Sequence, residues 1–449
     1  MVLFCRLLIL FQRYDNIEEY FAYELSPFPM SLFKDNMMRK PTKSVLAKHL
    51  TDRCIQVDDG ENENEDDEEI DALDVPDATD EIPSAVNTEM DDVVYVVDGG
   101  YLLHRVVWGK LSTYGEVIQQ YQNYLKFHYG ICDVNFDGYT SGPSVKDHEH
   151  LHRNQRSKIS PNVTVELSGS IGSICQTSFL ANNHNKQKFI DLLTECLLAD
   201  GHTVRKSDRD ADTLIVSTVL DYACIGKNAC LLASDTDLLI MLIYFWNDLM
   251  GSIVMRSEAT KRFPAVERDV SKIASCLGVV QKYITFIHAF GGCDSTSAVF
   301  GHGKLAILRL IEKSKSAQEL ADVFMCKDST QDSVSTAGMK LFVLLYGGKP
   351  CDSLGYLRYI RYMGMASSTK MNPERLPPSE RAAHFHSLRV YLQTQEWNCL
   401  NDTLNPQWGW KVVGGKLLPL TTDEAAPNEL LNIIRCNCQT SAKHPCGGK

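Results

Sequence analysis

Short apolar runs alternate along the middle of the chain with longer segments whose apolar residues recur at helical spacing. The runs VVYVV (93–97), ICDVNF (131–136) and ACLLAS (229–234) are typical of strands buried on both faces of a sheet. The segments YGEVIQQYQNYLKFHYG (114–130) and ADTLIVSTVLDYA (211–223) are predicted helices. This alternation predicts an α/β fold in which a mostly parallel central sheet is flanked by helices.

After the third run the pattern becomes mostly helical. The stretch YITFIHAFGGCDST predicts an apolar helix and a glycine turn that carries Asp294, and residues 301–304 (GHGK) introduce a second helix. Residues 316–400 are predicted to form a helical extension. Residues 401–449 are predicted to form a small tail that contains Trp and Cys, with some strand structure.

The first ninety or so residues differ in composition from the rest. Residues 1–57 predict a partly helical, partly irregular region, and residues 58–92 predict an acidic disordered linker because they lack the apolar residues needed for a core. The α/β domain is therefore predicted to span residues 93–315. The apolar opening MVLFCRLLILF has no basic segment before it and no small-residue cleavage site after it, so it predicts a helix face and not a signal peptide.

The charge is distributed unevenly, which affects the choice of partner. The net charge is -12, but residues 58–92 hold 17 of the 57 acidic residues and no Lys or Arg, so the rest of the chain is slightly basic. Nucleic acid is therefore a compatible partner. The 15 scattered cysteines indicate reduced thiols in an intracellular protein. We also expect no membrane partner, because no stretch reads as long enough to span a bilayer.

Seven aspartates stand at the predicted ends of strands and helices. Because the carboxyl ends of parallel strands meet at one edge of a sheet, we expect these side chains to gather there. Oxygen ligands suit Mg²⁺ or Mn²⁺, and a pair of such ions can hydrolyse a phosphodiester. The alternative for each residue alone is an ordinary helix cap. The seven residues are Asp98, Asp137, Asp210, Asp212, Asp235, Asp237 and Asp294.

The order of the motifs DGGYLLHR, NFDGY, DADT, SDTDLL and GGCDST resembles the flap endonuclease group of structure-specific 5′ nucleases, which have a PIN-like fold. The resemblance implies two divalent ions. Asp98, Asp137, Asp210 and Asp212 would bind the first ion, and Asp235, Asp237 and Asp294 the second. The DADT motif departs from the family, which has glutamates at Asp210 and Asp212. The whole chain is also similar to multicopy animal proteins with a Cys-rich C terminus.

The same resemblance implies further contacts to nucleic acid. The stretch PSVKDHEHLHRNQR is similar to the family's arch, in which Lys146 and Arg153 would contact the scissile phosphate, and the arch or lid would span residues 141–190. Gly301 and Gly303 resemble the family's helix-hairpin-helix, whose backbone N–H groups hold a duplex phosphate. Lys304, which begins the following helix, is assigned to the same nucleic-acid surface.

Two further motifs suggest zinc sites, one for an alternative function and one for a structural ion. His148, Glu149 and His152 satisfy H-E-x-x-H, the signature of zinc metalloproteases, but the polar flanks KD and RNQRSK argue against a buried zinc helix. In the C-terminal tail, four soft ligands could form a structural Zn²⁺ site, although C-x-C near a chain end is a weak pattern. These four residues are Cys436, Cys438, His444 and Cys446.

The sequence therefore predicts a Mg²⁺- or Mn²⁺-dependent nuclease that acts on DNA, or on RNA, near ends or junctions. Such an enzyme is expected inside the cell, in the nucleus. The alternative is a catalytically inactive PIN-like module that binds nucleic acid or protein. Trp397, Trp408 and Trp410 could stack on bases, but we expect them to pack a small domain.

Overall fold

The computed structural model describes residues 17–59, 93–109, 113–138, 159–172, 174–207, 211–260, 264–366, 372–399, 407–422 and 426. The strands are β1 (Phe33–Lys34), β2 (Met37–Met38), β3 (Val93–Asp98), β4 (Asp133–Phe136), β5 (Thr203–Lys206), β6 (Asn228–Leu232), β7 (Ile253–Ser257), β8 (Val266–Asp269), β9 (Trp410–Val413) and β10 (Lys416–Pro419).

The helices cover most of the remaining described residues. They are α1 (Ile17–Tyr20), α2 (Lys43–Asp59), α3 (Gly99–Arg105), α4 (Tyr114–His128), α5 (Gln176–Leu180), α6 (Asn183–Ala199), α7 (Asp212–Cys224), α8 (Thr236–Phe245), α9 (Val270–Leu277), α10 (Ile284–Phe290), α11 (Lys304–Lys313), α12 (Lys315–Met325), α13 (Gln331–Leu345), α14 (Leu354–Ala366) and α15 (Glu380–Cys399). Two 3₁₀ helices, Gly278–Tyr283 and Pro373–Arg375, join some of them.

Six strands form the central sheet in the order β5-β4-β3-β6-β7-β8. All neighbouring pairs are parallel except β7 and β8, which are antiparallel. The prediction of an α/β fold with a mostly parallel central sheet flanked by helices, followed by a helical region and a small tail, is thereby confirmed. The three predicted strands are β3, β4 and β6, which lie side by side in the middle of the sheet.

The sheet is covered by apolar side chains on both faces. Successive strand residues point to opposite faces, so Val96 and Leu231 join one hydrophobic cluster while Val97 and Leu232 join the other. This double coverage is the physical reason that β3 and β6 read as unbroken apolar runs. Helices α8 and α10 belong to the larger cluster, and α4 and α6 to the smaller one.

The N-terminal segment, residues 17–54, packs into the body of the protein. Leu46 and Leu50 of α2 belong to the larger hydrophobic cluster. The buried Arg358 of α14 donates to the carbonyl of Phe21 at 3.0 Å. Arg39 forms an ion pair with Glu374 at 2.7 Å. These contacts fix the direction in which α2 approaches the central sheet.

After the central sheet, the described residues up to Cys399 are largely helical, and the β9–β10 hairpin follows them. Trp397 and Trp410 are buried in the larger cluster, as expected for packing residues. Among the described residues, the helical stretch Val270–Phe290 is long and apolar enough to cross a membrane, with a mean hydropathy of 1.3. Within the protein it is 67% buried, because it lies in the core.

Candidate active site

Three adjacent parallel strands each deliver one carboxylate to the same edge of the sheet. Asp98 is the last residue of β3, Asp137 directly follows β4, and Asp235 lies three residues after the end of β6. The chain adds β4 and β5 on one side of β3 and then β6 and β7 on the other side. Such a reversal of strand order is where ligands bind in open α/β sheets, in the crevice beyond the carboxyl ends.

Two of these aspartates are helix caps as well. The Asp98 carboxylate accepts the N–H of Gly100 at 2.8 Å, and the Asp235 carboxylate accepts the N–H of Asp237 at 3.0 Å. The first helical residue after the cap is Gly99 in one case and Thr236 in the other. Capping uses one oxygen of each carboxylate, so the cap interpretation and a ligand role are compatible.

The first carboxylate group consists of Asp98 and Asp137. A Cβ added to Gly100 would lie 3.2 Å from Asp98 Oδ1 and 3.9 Å from Asp137 Oδ2, so both carboxylates lie beside this glycine. The Asp137 Oδ1 accepts the N–H of Ala211 at 2.9 Å. That bond holds the start of α7, and with it Asp212, beside this group.

Burial dominates the electrostatics of the first carboxylate group. It raises the pKa of Asp98 to about 6, and the neighbouring Asp137 charge adds to the effect. Lys186 of α6 is the nearby cation. Burial lowers the pKa of Lys186, and the charges of Asp137 and Asp98 only partly oppose that shift. Sequence reasoning missed Lys186. The only local signal is a lysine in the first turn of an amphipathic helix that Asn182 caps.

The second carboxylate group consists of Asp235, Asp237 and Asp294, and it surrounds the ammonium of Lys43. The Lys43 Nζ lies 2.9 Å from Asp294 Oδ1, 3.2 Å from Asp237 Oδ2 and 3.9 Å from Asp235 Oδ1. Burial alone would lower the pKa of Lys43, but the charges of the three aspartates outweigh burial and raise it. Lys43 begins α2, far away in sequence, and sequence reasoning did not identify it.

Asp237 has a second partner on the side away from Lys43. Neutral His288 donates through Nε2–H to Asp237 Oδ1 at 2.8 Å, and burial lowers the pKa of His288 to about 4. Burial acts to raise the pKa of Asp237. The hydrogen bond from His288 and the charge of Lys43 outweigh it and hold that pKa well below its usual range. Asp235, which is farthest from Lys43, has a raised pKa because of burial and of Asp237.

The sequence predicts Lys304 on the nucleic-acid surface, but its side chain is directed into the protein. It is 4% exposed, and its Nζ donates to the carbonyl of His288 at 2.7 Å and to the carbonyl of Gly292. Burial lowers the pKa of Lys304 to about 7. The ammonium therefore supports the backbone behind the second carboxylate group and does not face a ligand.

Gly301 and Gly303 lie on the surface at the start of α11. Gly301 has φ +74°, which favours glycine, and a Cβ at either position would meet no atom within 4 Å. Gly303 is the N-terminal cap residue of α11 and offers no side-chain cap. Their surroundings leave room for a ligand close to the backbone.

Several predicted site residues lie outside the described residues. They are Asp210, Lys146, Arg153, His148, Glu149, His152, Cys436, Cys438, His444 and Cys446. Within the part of the chain that the structure describes, no group of three or more His, Cys, Asp or Glu side chains is arranged to hold a metal ion. The prediction of two ions therefore has no support there. The reason is visible at the second carboxylate group, whose oxygens converge on an ammonium.

The two groups differ in their fitness for a divalent cation. In the first group Lys186 lies beside the two carboxylates and not between them as Lys43 does, and Mg²⁺ is commonly bound by one or two carboxylates together with waters and substrate phosphate. The donors of this group fit one such ion. The second carboxylate group does not fit an ion, because Lys43 lies at the point that its three carboxylates share.

Comparison with known proteins gives remote similarities. No protein-family model matches the sequence, and no curated protein matches it. Among solved structures, the catalytic core of Rad2 in complex with DNA substrate has a TM-score of 0.32 and 16% identity, over 50% of this chain and 61% of that one. This chain thus spans less than two thirds of that relative. A mutant of T5 5′-exonuclease has a TM-score of 0.33 and 12% identity, over 69% and 91%.

Proposed function

We propose that the chain is a metal-dependent phosphodiesterase acting on nucleic acid, a flap-endonuclease-like 5′ nuclease with a PIN-like domain. The observation that carries this proposal is the delivery of Asp98, Asp137 and Asp235 by three adjacent parallel strands to one edge, at the reversal of strand order. Burying carboxylates together is unfavourable without a compensating cation. A divalent ion would supply this compensation, and it would also polarise a phosphoryl oxygen of a bound substrate.

The first carboxylate group would hold one Mg²⁺ or Mn²⁺. When bound by Asp98 and Asp137, the ion would supply Lewis-acid chemistry, which activates a water and polarises a phosphoryl oxygen. Lys186 stands beside this group, and its ammonium would bind a non-bridging oxygen of the phosphate as negative charge develops there. Hydrolysis would add the water oxygen to phosphorus and break the bond to the leaving sugar oxygen, which takes up a proton.

The substrate would be held largely through phosphates, which carry no sequence information. Gly301 and Gly303 leave open space at the start of α11, where backbone N–H groups and the helix dipole favour an anion. Lys146 and Arg153 would supply the arch contacts that the family resemblance implies. We propose DNA as the substrate, with RNA as the alternative tested in the same assay, and the nucleus as the location.

The test is a cleavage assay with the full chain on 5′-flap, single-stranded DNA and RNA substrates, with and without Mg²⁺ or Mn²⁺. Asp98→Asn keeps a capping side chain but removes a charged ligand. We expect its cleavage rate to fall by more than about 100-fold, since even outer partners of metal ligands contribute up to about 100-fold. Cleavage that survives in EDTA, or in Asp98→Asn, contradicts the proposal.

Asp269→Asn is the matched control. Asp269 also ends a strand and caps a helix, accepting the N–H of Lys272 at 3.0 Å. Because β8 is antiparallel to β7, Asp269 lies at the opposite edge of the sheet. Its substitution should leave cleavage unchanged.

A catalytically inactive module is the second candidate, and one observation favours it. Lys43 already neutralises part of the second carboxylate group, so the fold compensates these acids without a metal. This candidate predicts that the wild-type chain and Asp98→Asn bind the substrates equally and that neither cleaves them. The assay above separates the two functions.

A further inference from the structure

The second carboxylate group carries a fixed positive charge at its centre. Lys43 Nζ forms ion pairs with Asp294 and Asp237 at 2.9 and 3.2 Å and lies 3.9 Å from Asp235. The Lys43 side chain is 26% exposed, whereas that of Asp237 is 7% exposed. The ammonium thus lies between the buried carboxylate and the solvent-facing crevice, which is the position that an incoming cation would need.

Lys43 is held there by a packed element. Helix α2 begins at Lys43, and its residues Leu46, Ala47 and Leu50 are buried in the larger hydrophobic cluster. Just upstream, Arg39 pairs with Glu374 and its guanidinium lies 4.8 Å from the ring centroid of Phe300. The carbonyl of Arg39 also accepts the N–H of Ala298 at 2.8 Å. The lysine is anchored on both sides along the chain.

The position of Lys43 in the first turn of α2 also indicates that its charge compensates the three carboxylates. A cation in the first turn of a helix is unfavourable, because the positive end of the helix dipole lies there. At Lys43 the three carboxylates reverse that preference, and the N terminus of α2 adds to the positive potential that they meet. A divalent ion at the same point would have to displace the ammonium from all three oxygens.

We infer that Lys43 is a resident cation that takes the place of a second divalent ion, so that the site binds a single divalent ion at Asp98 and Asp137. This inference rests on the proposed function, since it assigns a metal to the first carboxylate group. It differs from a two-ion site in a countable property, the number of ions bound per chain.

The experiment counts Mn²⁺ ions bound to the full chain, by isothermal titration calorimetry and by electron paramagnetic resonance of free Mn²⁺. The wild-type chain should bind one ion. Lys43→Met should bind two, because the second carboxylate group loses its ammonium and gains room. Lys48→Met is the matched control, since Lys48 is exposed on the same helix, and it should bind one.

Lys43→Gln guards against a folding failure of Lys43→Met. The glutamine amide can still donate to Asp294 but carries no charge, so it too should bind two ions. Thermal unfolding gives a second readout, in which Mn²⁺ should raise the Tm of both Lys43 variants more than that of the wild type. A wild-type chain that binds two ions, or none, overturns the inference. Folded Lys43 variants that bind the same number of ions as the wild type also overturn it.

Cleavage is measured separately, so the two proposals can fail independently. One ion in the wild type and two in Lys43→Met, without metal-dependent cleavage of any substrate, refutes the proposed nuclease and leaves the inference standing. Two ions in the wild type together with metal-dependent cleavage supports the nuclease and refutes the resident cation.

Discussion

The two carboxylate groups are built by the same local device but differ in electrostatic state. In each, a buried parallel strand ends, an aspartate caps the next helix, and a further carboxylate lies nearby. Burial raises the pKa of both caps, Asp98 to about 6 and Asp235 as well, whereas the pKa of Asp237, which contacts Lys43 and His288, lies below its usual range. The difference comes from partners supplied by distant segments. The position of an aspartate at a strand end therefore determines where its negative charge lies. Residues from distant segments determine whether a cation compensates that charge.

The largest effect on the free energy of unfolding should come from removing the carboxylate of Asp237, whose charge Lys43 compensates. Asp237→Asn, measured without metal at pH 7, should lower the free energy of unfolding by about 3 kcal/mol, because breaking a buried ion pair leaves Lys43 without a main partner. The folded-state pKa of Asp237 is depressed. Its stabilisation is therefore present above the unfolded pKa near 4 and is lost as the pH falls through the folded value.

Asp322→Asn provides the matched control for that measurement. Asp322 pairs with Lys282 at 3.1 Å, but both side chains are more than half exposed. Such surface pairs contribute less than about 1 kcal/mol. Urea denaturation of the two variants should therefore give clearly different midpoints. Equal shifts would show that Asp237 is not a balanced buried charge.

Lys186→Met tests the cation of the first carboxylate group. If its ammonium binds the phosphate, cleavage should fall by about 100-fold, a typical effect of removing one preorganised donor. Mn²⁺ binding should persist, because no carboxylate is removed. Lys188→Met, an exposed residue of the same helix, is the control and should cleave normally. A variant that loses cleavage only because it no longer binds Mn²⁺ would contradict this role.

Much of the fold could be predicted because the informative residues are local. Strands β3 and β6 place apolar residues on both faces of the sheet, and β4 places Val134 and Phe136 on one face, so these runs stand out in the sequence. Strands β5, β7 and β8 read TVRK, IVMRS and VERD, and their charged residues hid them from the pattern. The edge strands β5 and β8 have a neighbouring strand on one side only, which allows their charged residues, and in β7 Arg256 donates to Glu267 of β8 at 2.8 Å.

The carboxylates of the site could be predicted, whereas its cations could not. Asp98, Asp137 and Asp235 follow strands, and parallel strands share an edge, so sequence order is enough to bring them together. Lys43 and Lys186 reach the same edge through tertiary packing of α2 and α6. In sequence, Lys43 resembles its neighbours Lys40 and Lys48. What distinguishes it is the packing around it, since Leu46 and Leu50 of α2 are buried in the larger hydrophobic cluster and Arg39 just upstream pairs with Glu374.

The smallest of these effects should be an increase in the free energy of unfolding. Asp98→Asn, measured without metal, should raise the free energy of unfolding by about 1 kcal/mol at pH 8. The rise in the pKa of Asp98 from its ordinary value near 4 to about 6 corresponds to about 2.7 kcal/mol, and solvent screening reduces this figure because Asp98 is half-buried. Asparagine caps a helix as well as aspartate does, so the cap is retained.

The stability difference between the wild type and Asp98→Asn should depend on pH, because the folded-state pKa of Asp98 is raised. Below the unfolded pKa near 4, Asp98 is protonated in both states and the variant should match the wild type. As the pH rises through the folded pKa of about 6, the wild type must hold an ionised carboxylate that burial disfavours, and it loses stability that the variant keeps. Unfolding in EDTA at pH 4, 6 and 8 measures this divergence.

Mg²⁺ should then stabilise the wild type but not the variant, since only the wild type keeps both charged ligands. If Asp98→Asn and Asp237→Asn shift stability in the same direction at pH 8, the two carboxylate groups are electrostatically alike, and the contrast between a carboxylate that burial disfavours and one that Lys43 stabilises is wrong.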